Sequence, residues 1–280
     1  MEYRVSRLGD RPQLESLSDL CFGEEPAYRQ LLLDRRWRPE ECMVAADSRG
    51  RPVAFVFALP FALARPGGDV PGAYVYSLGV HPDFRGQRIG VDLMAFVWDT
   101  VLARGAGLVA LVPASASLFD YYRQLGYGPF GSLGLGEPRP PREGPPMTPR
   151  RCAPGEYLAA RERLLADLPH GVWDEGALGY QQAFSALADG GLYLLDEGAG
   201  CAVAETYDGI LHLKELLAPP GDLPGALAGM AGAFPGWRVE VRTRPDWAPQ
   251  LGLSAEAFAV ARWRDGVPPT QSAYFSLVLD

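Results

Sequence analysis

The most constraining feature of the chain is residues 74–91, YVYSLGVHPDFRGQRIGV, where an apolar strand runs directly into an Arg/Gly turn that opens a helix. Gly86 can adopt backbone conformations that are closed to other residues, and the first N–H groups of a helix from about Ile89 lack partners within the helix. The helix dipole favours negative charge at that end. The segment therefore predicts an anion site.

The residues from Leu78 to Gly90 resemble the acyl-CoA loop of the GNAT N-acetyltransferase superfamily, written R/Q-x-x-G-x-G/A. Arg85 and Gly90 occupy the outer positions, whereas Arg88 stands where a glycine is commonest. The loop binds mainly through backbone N–H groups, and an added guanidinium is favourable beside a diphosphate. Taken alone, the motif is also compatible with an ordinary strand-to-helix turn.

A second motif lies downstream of the loop. A helix at Val91–Arg104 and a strand at Leu108–Val112 are predicted first, then a helix at Ser115–Leu125. It ends in YYRQLGY, residues 121–127, which resembles the family's F-Y-x-K-x-G-F segment at the expected distance from the loop. Two motifs in the family's order favour the GNAT interpretation over a plain turn.

The element order supports the same fold class. Hydrophobic spacing predicts, before the loop, a strand, two helices and three strands: Tyr3–Leu8, Gln13–Cys21, Ala27–Trp37, Cys42–Ala46, Val53–Phe61 and Tyr74–Val80. A last strand at Tyr127–Leu135 completes an α/β protein with a mixed (α+β) sheet, as in the GNAT acyl-CoA N-acyltransferase fold.

Two domains are expected. Residues 1–136 form the predicted N-terminal GNAT domain, residues 137–150 a proline-rich linker, and residues 151–280 a degenerate GNAT-like domain that repeats the element order. This tandem arrangement is distantly similar to the enhanced-intracellular-survival type of acetyltransferase. In the second domain the loop is replaced by Ala218–Asp222, where two prolines lack N–H groups and an acid repels phosphate. Binding of acetyl-CoA is therefore assigned to the first domain.

The resemblance implies direct transfer of an acetyl group from acetyl-CoA to an amine, without a covalent enzyme intermediate. Tyr122, by its place in the second motif, is the candidate proton donor to the departing thiolate, and a packed aromatic residue is the alternative. Tyr121 lies about 100° away around the helix and is expected to face elsewhere.

The resemblance also assigns the cofactor-binding residues. The strand end at Leu78, Gly79 and Val80 is expected to contact the pantetheine arm. Ser115 falls where many members carry an asparagine, with Ser117 as a near alternative, and either serine is equally plausible as a helix cap. The loop residues expected to bind the diphosphate are Arg85, Gly86, Gln87, Arg88, Ile89, Gly90 and Val91.

The sequence gives less evidence for the general base and the acceptor pocket than for the cofactor site. The segment Tyr74–Ser77 has no carboxylate, where many GNAT enzymes carry a glutamate. Glu205, Glu215 or the terminal Asp280 are candidates, and a solvated or paired carboxylate is the favoured interpretation of each of the two glutamates. Tryptophans are candidates for the acceptor pocket or for the core; these are Trp37, Trp173 and Trp247.

The amino-acid composition limits the classes of ligand and partner that the protein is expected to bind. The net charge of −8 disfavours nucleic-acid binding and is compatible with a cationic amine, so a small-molecule or peptide amine is the expected acceptor. The four cysteines and three histidines are too scattered for a zinc site or a disulfide framework, so no metal is expected. No run of about 20 apolar residues and no signal peptide is apparent, and a cytoplasmic protein without membrane association is expected. The sequence does not determine the oligomeric state.

Two alternative functions remain open at this point. The missing base favours a non-catalytic acyl-CoA-binding sensor or interaction protein. An aminoacyl or longer-chain acyl transferase is the other alternative, because related folds bind donors other than acetyl-CoA.

Overall fold

The computed structural model describes residues 1–139, 145–266 and 273–277. These residues form two compact units. The first contains Met1–Leu63, Gly68–Gly128 and residues 260–266, and the second contains Ala64–Gly67, Pro129–Ala259 and residues 273–277.

The first unit has the predicted order of strands and helices. Its elements are β1 (Glu2–Val5), α1 (Arg11–Phe22), α2 (Pro26–Leu31), β2 (Cys42–Ala46), β3 (Pro52–Ala64), β4 (Val70–Val80), α3 (Ile89–Ala103), β5 (Leu108–Leu111) and α4 (Ala116–Gln124). Helix α1 ends where Gly23 adopts a left-handed φ of 64°, a conformation that glycine adopts without steric penalty. Helix α2 continues as a π-helical turn over Leu32–Arg36.

The sheet of the first unit is mixed. Its strands run in the order β1-β2-β3-β4-β5, followed by the end of β13 (Ala255–Trp263). All neighbours are antiparallel except β4 and β5, which are parallel. Strand β13 was not predicted, because its alternate alanines give only a weak hydrophobic period.

A bulge interrupts β4 just before the loop. Phe55 and Phe57 of β3 lie opposite Gly79 and Tyr76, and Ser77 within the bulge has a positive φ of 55°. The parallel pairing of β4 with β5 stops at Tyr74, although β4 continues to Val80. The last part of β4 therefore leaves the edge that faces β5 without a strand partner among the described residues.

The core of the first unit lies between α3 and the sheet. Buried side chains of α3, such as Leu93 and Val97, join those of β2 to β5, and Tyr122 and Tyr127 belong to the same cluster. Because α3 is anchored along its length, the loop at its N-terminus has a defined position.

The second unit repeats the order, as the tandem interpretation predicts. Its elements are β6 (Gly128–Gly136), β7 (Pro149–Arg151), α5 (Pro154–Leu165), β8 (His170–Val172), α6 (Glu175–Leu187), β9 (Gly191–Leu195), β10 (Gly200–Tyr207), β11 (Ile210–Leu217), α7 (Leu223–Ala233) and β12 (Arg238–Thr243). Strands β7 and β8 are additions to the prediction. The sheet order is β6-β12-β11-β10-β9-β7, with β11 and β12 parallel.

The sixth strand of each unit comes from the other half of the sequence. In the second unit β6 pairs with β12, so that Leu135 lies opposite Arg242. In the first unit the end of β13 pairs with β5, so that Val260 lies opposite Leu111. The units therefore differ from simple sequential halves, and the assignment of separate roles to residues 1–136 and 151–280 stays a prediction.

Part of the predicted linker, residues 137–150, belongs to the folded second unit. Residues 140–144 lie outside the described residues, but Pro149 already begins β7, which pairs with β9. Just before it, the N–H of Met147 donates to the carbonyl of Gly225 on α7 at 3.0 Å. The end of the proline-rich segment is thus part of the second unit.

None of the helices in the described ranges has the length and apolar character needed to cross a membrane.

Candidate functional site

The loop after β4 is a compact double turn. The His81 Nδ1 atom accepts the Asp83 N–H at 3.2 Å, and the Arg85 N–H donates to the Pro82 carbonyl at 3.1 Å. Two residues further along are left-handed, Gly86 with φ 75° and Arg88 with φ 62°. These conformations turn the chain into α3, which begins at Ile89.

The backbone N–H groups of this turn are open. The first hydrogen bond of the helix runs from the Asp92 N–H to the Arg88 carbonyl at 3.0 Å. Across the described ranges, no acceptor is found for the N–H groups between Gly86 and Val91. Several open donors at the positive end of a helix of 15 residues fit a phosphate or diphosphate group.

A surface cavity of about 350 Å³ lies against the loop. The predicted cofactor residues that line it are Val80, Arg85, Gly86, Arg88, Ile89, Gly90 and Val91, and Phe84 and Tyr121 complete the wall. The described residues of the lining include two arginines and no carboxylate. The structure thus brings together most of the residues that the motif predicts, in an electropositive pocket.

The two arginines are placed differently. The Nε atom of Arg85 donates to the Val80 carbonyl at 3.0 Å, which ties the side chain to the end of β4. The positive charge of Arg88 acts on Tyr121, because it opposes the rise in the Tyr121 pKa that burial causes. Arg88 therefore faces the part of the cavity formed by α4.

Four predicted cofactor residues do not line this cavity: Leu78, Gly79, Gln87 and Ser115. Gln87 donates weakly to the Asp83 carbonyl at 3.4 Å. Ser115 is the N-cap residue of α4, yet its hydroxyl lies 3.0 Å from that of Ser117 and makes no cap hydrogen bond.

The reason for a glycine at position 79 is packing. A Cβ atom there would lie 2.8 Å from the ring of Phe55 and 3.2 Å from the Cys21 sulfur. The space that Gly79 leaves is therefore filled by the protein's own side chains.

The two tyrosines of α4 lie in different surroundings. Tyr121 lines the cavity, so the expectation that it faces elsewhere is wrong. Tyr122 is 8% exposed and packs in the core, with its ring 5.8 Å from that of Tyr127. Burial, with a smaller contribution from Tyr121, raises the pKa of Tyr122 to about 12, so its phenol stays protonated at neutral pH.

Neither candidate glutamate is available as a base. Glu215 is fully buried in the second unit and accepts from the Tyr157 hydroxyl at 2.6 Å, from Arg161 at 2.9 Å and from Ser276. Glu205 is also buried there, and it accepts from Gln181 at 3.0 Å and Ser185 at 2.9 Å. These groups are paired structural carboxylates. The third candidate, Asp280, lies outside the described residues.

The tryptophans named for the acceptor pocket have structural contacts. The Trp173 indole is buried and donates to the Leu277 carbonyl at 2.9 Å, and Trp37 donates to the Ser6 hydroxyl at 3.2 Å. Arg244 stacks on the buried Trp247 with its guanidinium carbon 4.2 Å from the ring centre. The alternative interpretation of these residues, as packing groups, agrees with the structure.

The segment that replaces the acyl-CoA loop in the second unit has different surroundings. There the turn Pro220–Asp222 precedes α7, and the segment that contains Met147 lies on the helix. A Cβ atom on Gly229 would lie only 1.9 Å from the Met147 carbonyl oxygen. The protein's own backbone therefore covers this face of α7.

Cysteines and histidines form no recognisable site. Cys42, Cys152 and Cys201 are buried free thiols, and Cys21 is half-buried. In the part of the chain that the structure describes, no three His, Cys, Asp or Glu side chains are grouped so that they could hold a metal ion.

Phe84 and Tyr121 are the cavity residues that sequence reasoning missed. Phe84 lies inside the loop motif, but the motif fixes no residue type there. Tyr121 is adjacent to the motif tyrosine, and only the orientation of α4 shows that its ring contacts the cavity.

Comparison with protein families gives a match for the first part of the chain. Residues 2–130 match the family described as an acetyltransferase (GNAT) domain. No curated protein matches the sequence.

Solved structures with similar folds cover most of the chain. A GCN5-related N-acetyltransferase from Anabaena variabilis superposes with a TM-score of 0.74 at 17% identity, covering 94% of this chain and 72% of that one. One from Kribbella flavida has a TM-score of 0.70 at 20% identity, covering 94% and 71%. Eis1 from Mycobacterium abscessus has a TM-score of 0.70 at 18% identity, covering 94% and 74%. At these identities the likeness establishes the fold.

Proposed function

We propose that this chain, whose residues 2–130 form a GNAT acetyltransferase domain, transfers an acetyl group from acetyl-CoA directly to an amine. One observation carries the proposal. The N–H groups from Gly86 to Val91, which have no acceptor among the described residues, meet two arginines in a cavity of about 350 Å³ that Tyr121 of α4 also lines.

The loop would hold the diphosphate of acetyl-CoA. Backbone donors between Gly86 and Val91 supply hydrogen bonds, and the guanidinium groups of Arg85 and Arg88 supply charge. Gln87 contributes through its backbone N–H, since its side chain is directed to Asp83. Because Arg85 is tied to the Val80 carbonyl, its charge is held near the loop before any ligand binds.

The pantetheine arm would lie along the end of β4. Beyond Tyr74 this strand has no partner on the β5 side among the described residues, so backbone groups of Leu78, Gly79 and Val80 can pair with the amides of the arm. The hydroxyl of Ser115, at the start of α4, is the candidate for a further hydrogen bond.

Bound acetyl-CoA would supply a thioester carbonyl carbon. The amine nitrogen would attack this carbon, and the CoA thiolate would leave. Tyr122 is the proposed donor of a proton to that sulfur, because its buried phenol is kept neutral. Among the described residues that line the cavity there is no carboxylate, so water is the proposed acceptor of the amine's proton.

The acceptor we propose is a small-molecule or peptide amine. The net charge of −8 attracts cationic amines to the protein, whereas the two arginines at the loop attract the negatively charged acetyl-CoA. A binder of acyl-CoA without transferase activity is the second candidate, and the absence of a carboxylate from the cavity lining favours it.

A thiol-release assay distinguishes these functions. The protein is incubated with acetyl-CoA and a panel of polyamines, aminoglycosides and peptides, and free CoA thiol is measured together with acetylated product. We expect product with at least one amine. Tight CoA binding by calorimetry without product from any amine would favour the sensor, and absence of CoA binding would refute both functions.

A further inference from the structure

A second cavity of the first unit is formed where the end of α3 meets β13. Its volume is about 490 Å³. Residues that line it include Trp98, Leu102, Gly126, Arg262, Trp263 and Arg264. None of these belongs to the acyl-CoA loop, so the cavity is separate from the proposed catalytic site.

Arg262 packs against an aromatic ring in this cavity. Its guanidinium carbon lies 4.0 Å from the centre of the Trp98 ring, a cation-π contact. Gly126 lies beside this side chain: a Cβ atom there would be in ordinary contact with the Arg262 Nε atom, at 3.5 Å. The cation-π contact places the guanidinium next to the indole without using its N–H donors.

The positive charges of the cavity come from two arginine side chains. Within the described ranges, the Arg262 guanidinium has no carboxylate partner and no hydrogen-bond acceptor, and the Arg264 guanidinium donates only to the Leu102 carbonyl. The described residues that line the cavity include no acidic residue, although the whole chain carries a net charge of −8. A guanidinium whose N–H donors lack acceptors is suited to bidentate binding of a planar anion.

We propose that this cavity binds a small organic carboxylate, with the carboxylate paired to Arg262 and its apolar body against Trp263 and Leu102. The size of the cavity lies within the range of small-molecule sites. The second guanidinium, that of Arg264, adds positive charge at the same wall.

Benzoate is the probe, measured by isothermal titration calorimetry on the full chain. We expect saturable binding in the millimolar range, as is usual for a ligand of this size. Benzamide, which has the same shape without the charge, should bind about tenfold more weakly or not at all, because a charge-assisted hydrogen bond is lost.

Arg262→Gln should weaken benzoate binding about tenfold or more, whereas Arg49→Gln, which removes a charge from an exposed turn, should not change it. Arg264→Gln should weaken it less. Thermal unfolding checks that each variant is folded. Benzoate binding that is absent from the wild type, that survives both cavity substitutions, or that saturating CoA displaces would overturn the proposal.

Discussion

At the level of single residues, the left-handed conformation of Arg88 explains why glycine is commonest at this position of the motif. A non-glycine residue at φ 62° is strained by about 1–2 kcal/mol. The charge of Arg88 faces the cavity beside Tyr121. One position therefore combines a backbone penalty with an electrostatic gain for an anionic ligand.

Two substitutions separate these contributions. Arg88→Gly should relieve the backbone strain and raise the unfolding free energy by up to about 1 kcal/mol, although greater freedom of the unfolded chain offsets part of this gain. Arg88→Gln should leave stability nearly unchanged. Both should weaken CoA binding several-fold, measured by calorimetry, because the guanidinium is lost. Tighter CoA binding by Arg88→Gly would contradict a favourable role for the charge.

The adjacent tyrosines of α4 provide a matched test of the proton donor. Tyr122→Phe should lower kcat by about 100-fold or more, the usual contribution of a general acid, whereas Tyr121→Phe should retain most of the activity. Loss of activity in Tyr121→Phe alone would assign the role to the tyrosine that lines the cavity.

The raised pKa of Tyr122 leads to a prediction for the activity at alkaline pH. Burial raises the Tyr122 pKa to about 12, and a phenol donates a proton only while it is protonated, below its pKa. The rate should therefore rise as the amine acceptor loses its proton and should not fall through ionisation of Tyr122 at ordinary alkaline pH. A decline centred near pH 10, the value of an unperturbed tyrosine, would argue against this donor.

At the level of elements, the contact between the proline-rich segment and α7 distinguishes the second unit from the first. Gly225 and Gly229 allow the backbone around Pro145 and Met147 to approach the helix closely. In the first unit, the loop at the start of α3 instead borders a cavity. This difference adds to the two prolines and the acid of the turn in explaining why only the first unit is proposed to bind acetyl-CoA.

Two glycines of α7 test that contact. Gly229→Ala should lower the unfolding free energy by about 1–3 kcal/mol, because the added methyl overlaps the Met147 backbone. Gly232→Ala is the control on the same helix, has open space around it, and should stabilise by up to about 1 kcal/mol. Chemical denaturation measures both. Equal effects of the two substitutions would mean that the segment does not pack there.

At the level of the whole molecule, each unit needs a strand from the other half of the sequence. Residues 260–263 form the strand that pairs with the buried β5, and Pro129–Gly136 supply the strand that pairs with β12. Edge strands with exposed apolar residues promote aggregation.

Residues 1–136 expressed alone should therefore fail to unfold cooperatively, because Leu108–Leu111 would lose their antiparallel neighbour. Circular dichroism melting and size-exclusion chromatography are the measurements. Coexpression with residues 137–280 should restore a cooperative transition. A monomeric, cooperatively melting 1–136 fragment would show that the first half folds without β13.

Features that depend on neighbouring residues could be predicted from the sequence. The order of elements in each half, the start of α3 and the anion-binding turn follow from hydrophobic period, glycine placement and open N–H groups, which act over a few residues. The resemblance of residues 74–91 and 121–127 to the GNAT motifs could also be recognised from the sequence, because each motif is one uninterrupted stretch of the chain.

Features that depend on distant contacts could be seen only in the folded chain. The pairing of β13 with β5, the burial of Glu205 and Glu215, the packing of Phe55 against Gly79 and the exposure of Tyr121 to the cavity all join residues far apart in sequence. The sequence of a strand does not specify which distant strand will pair with its edge. The residues next to a glutamate in sequence likewise do not show which side chain will pair with its carboxylate. These choices are made by packing of the whole chain.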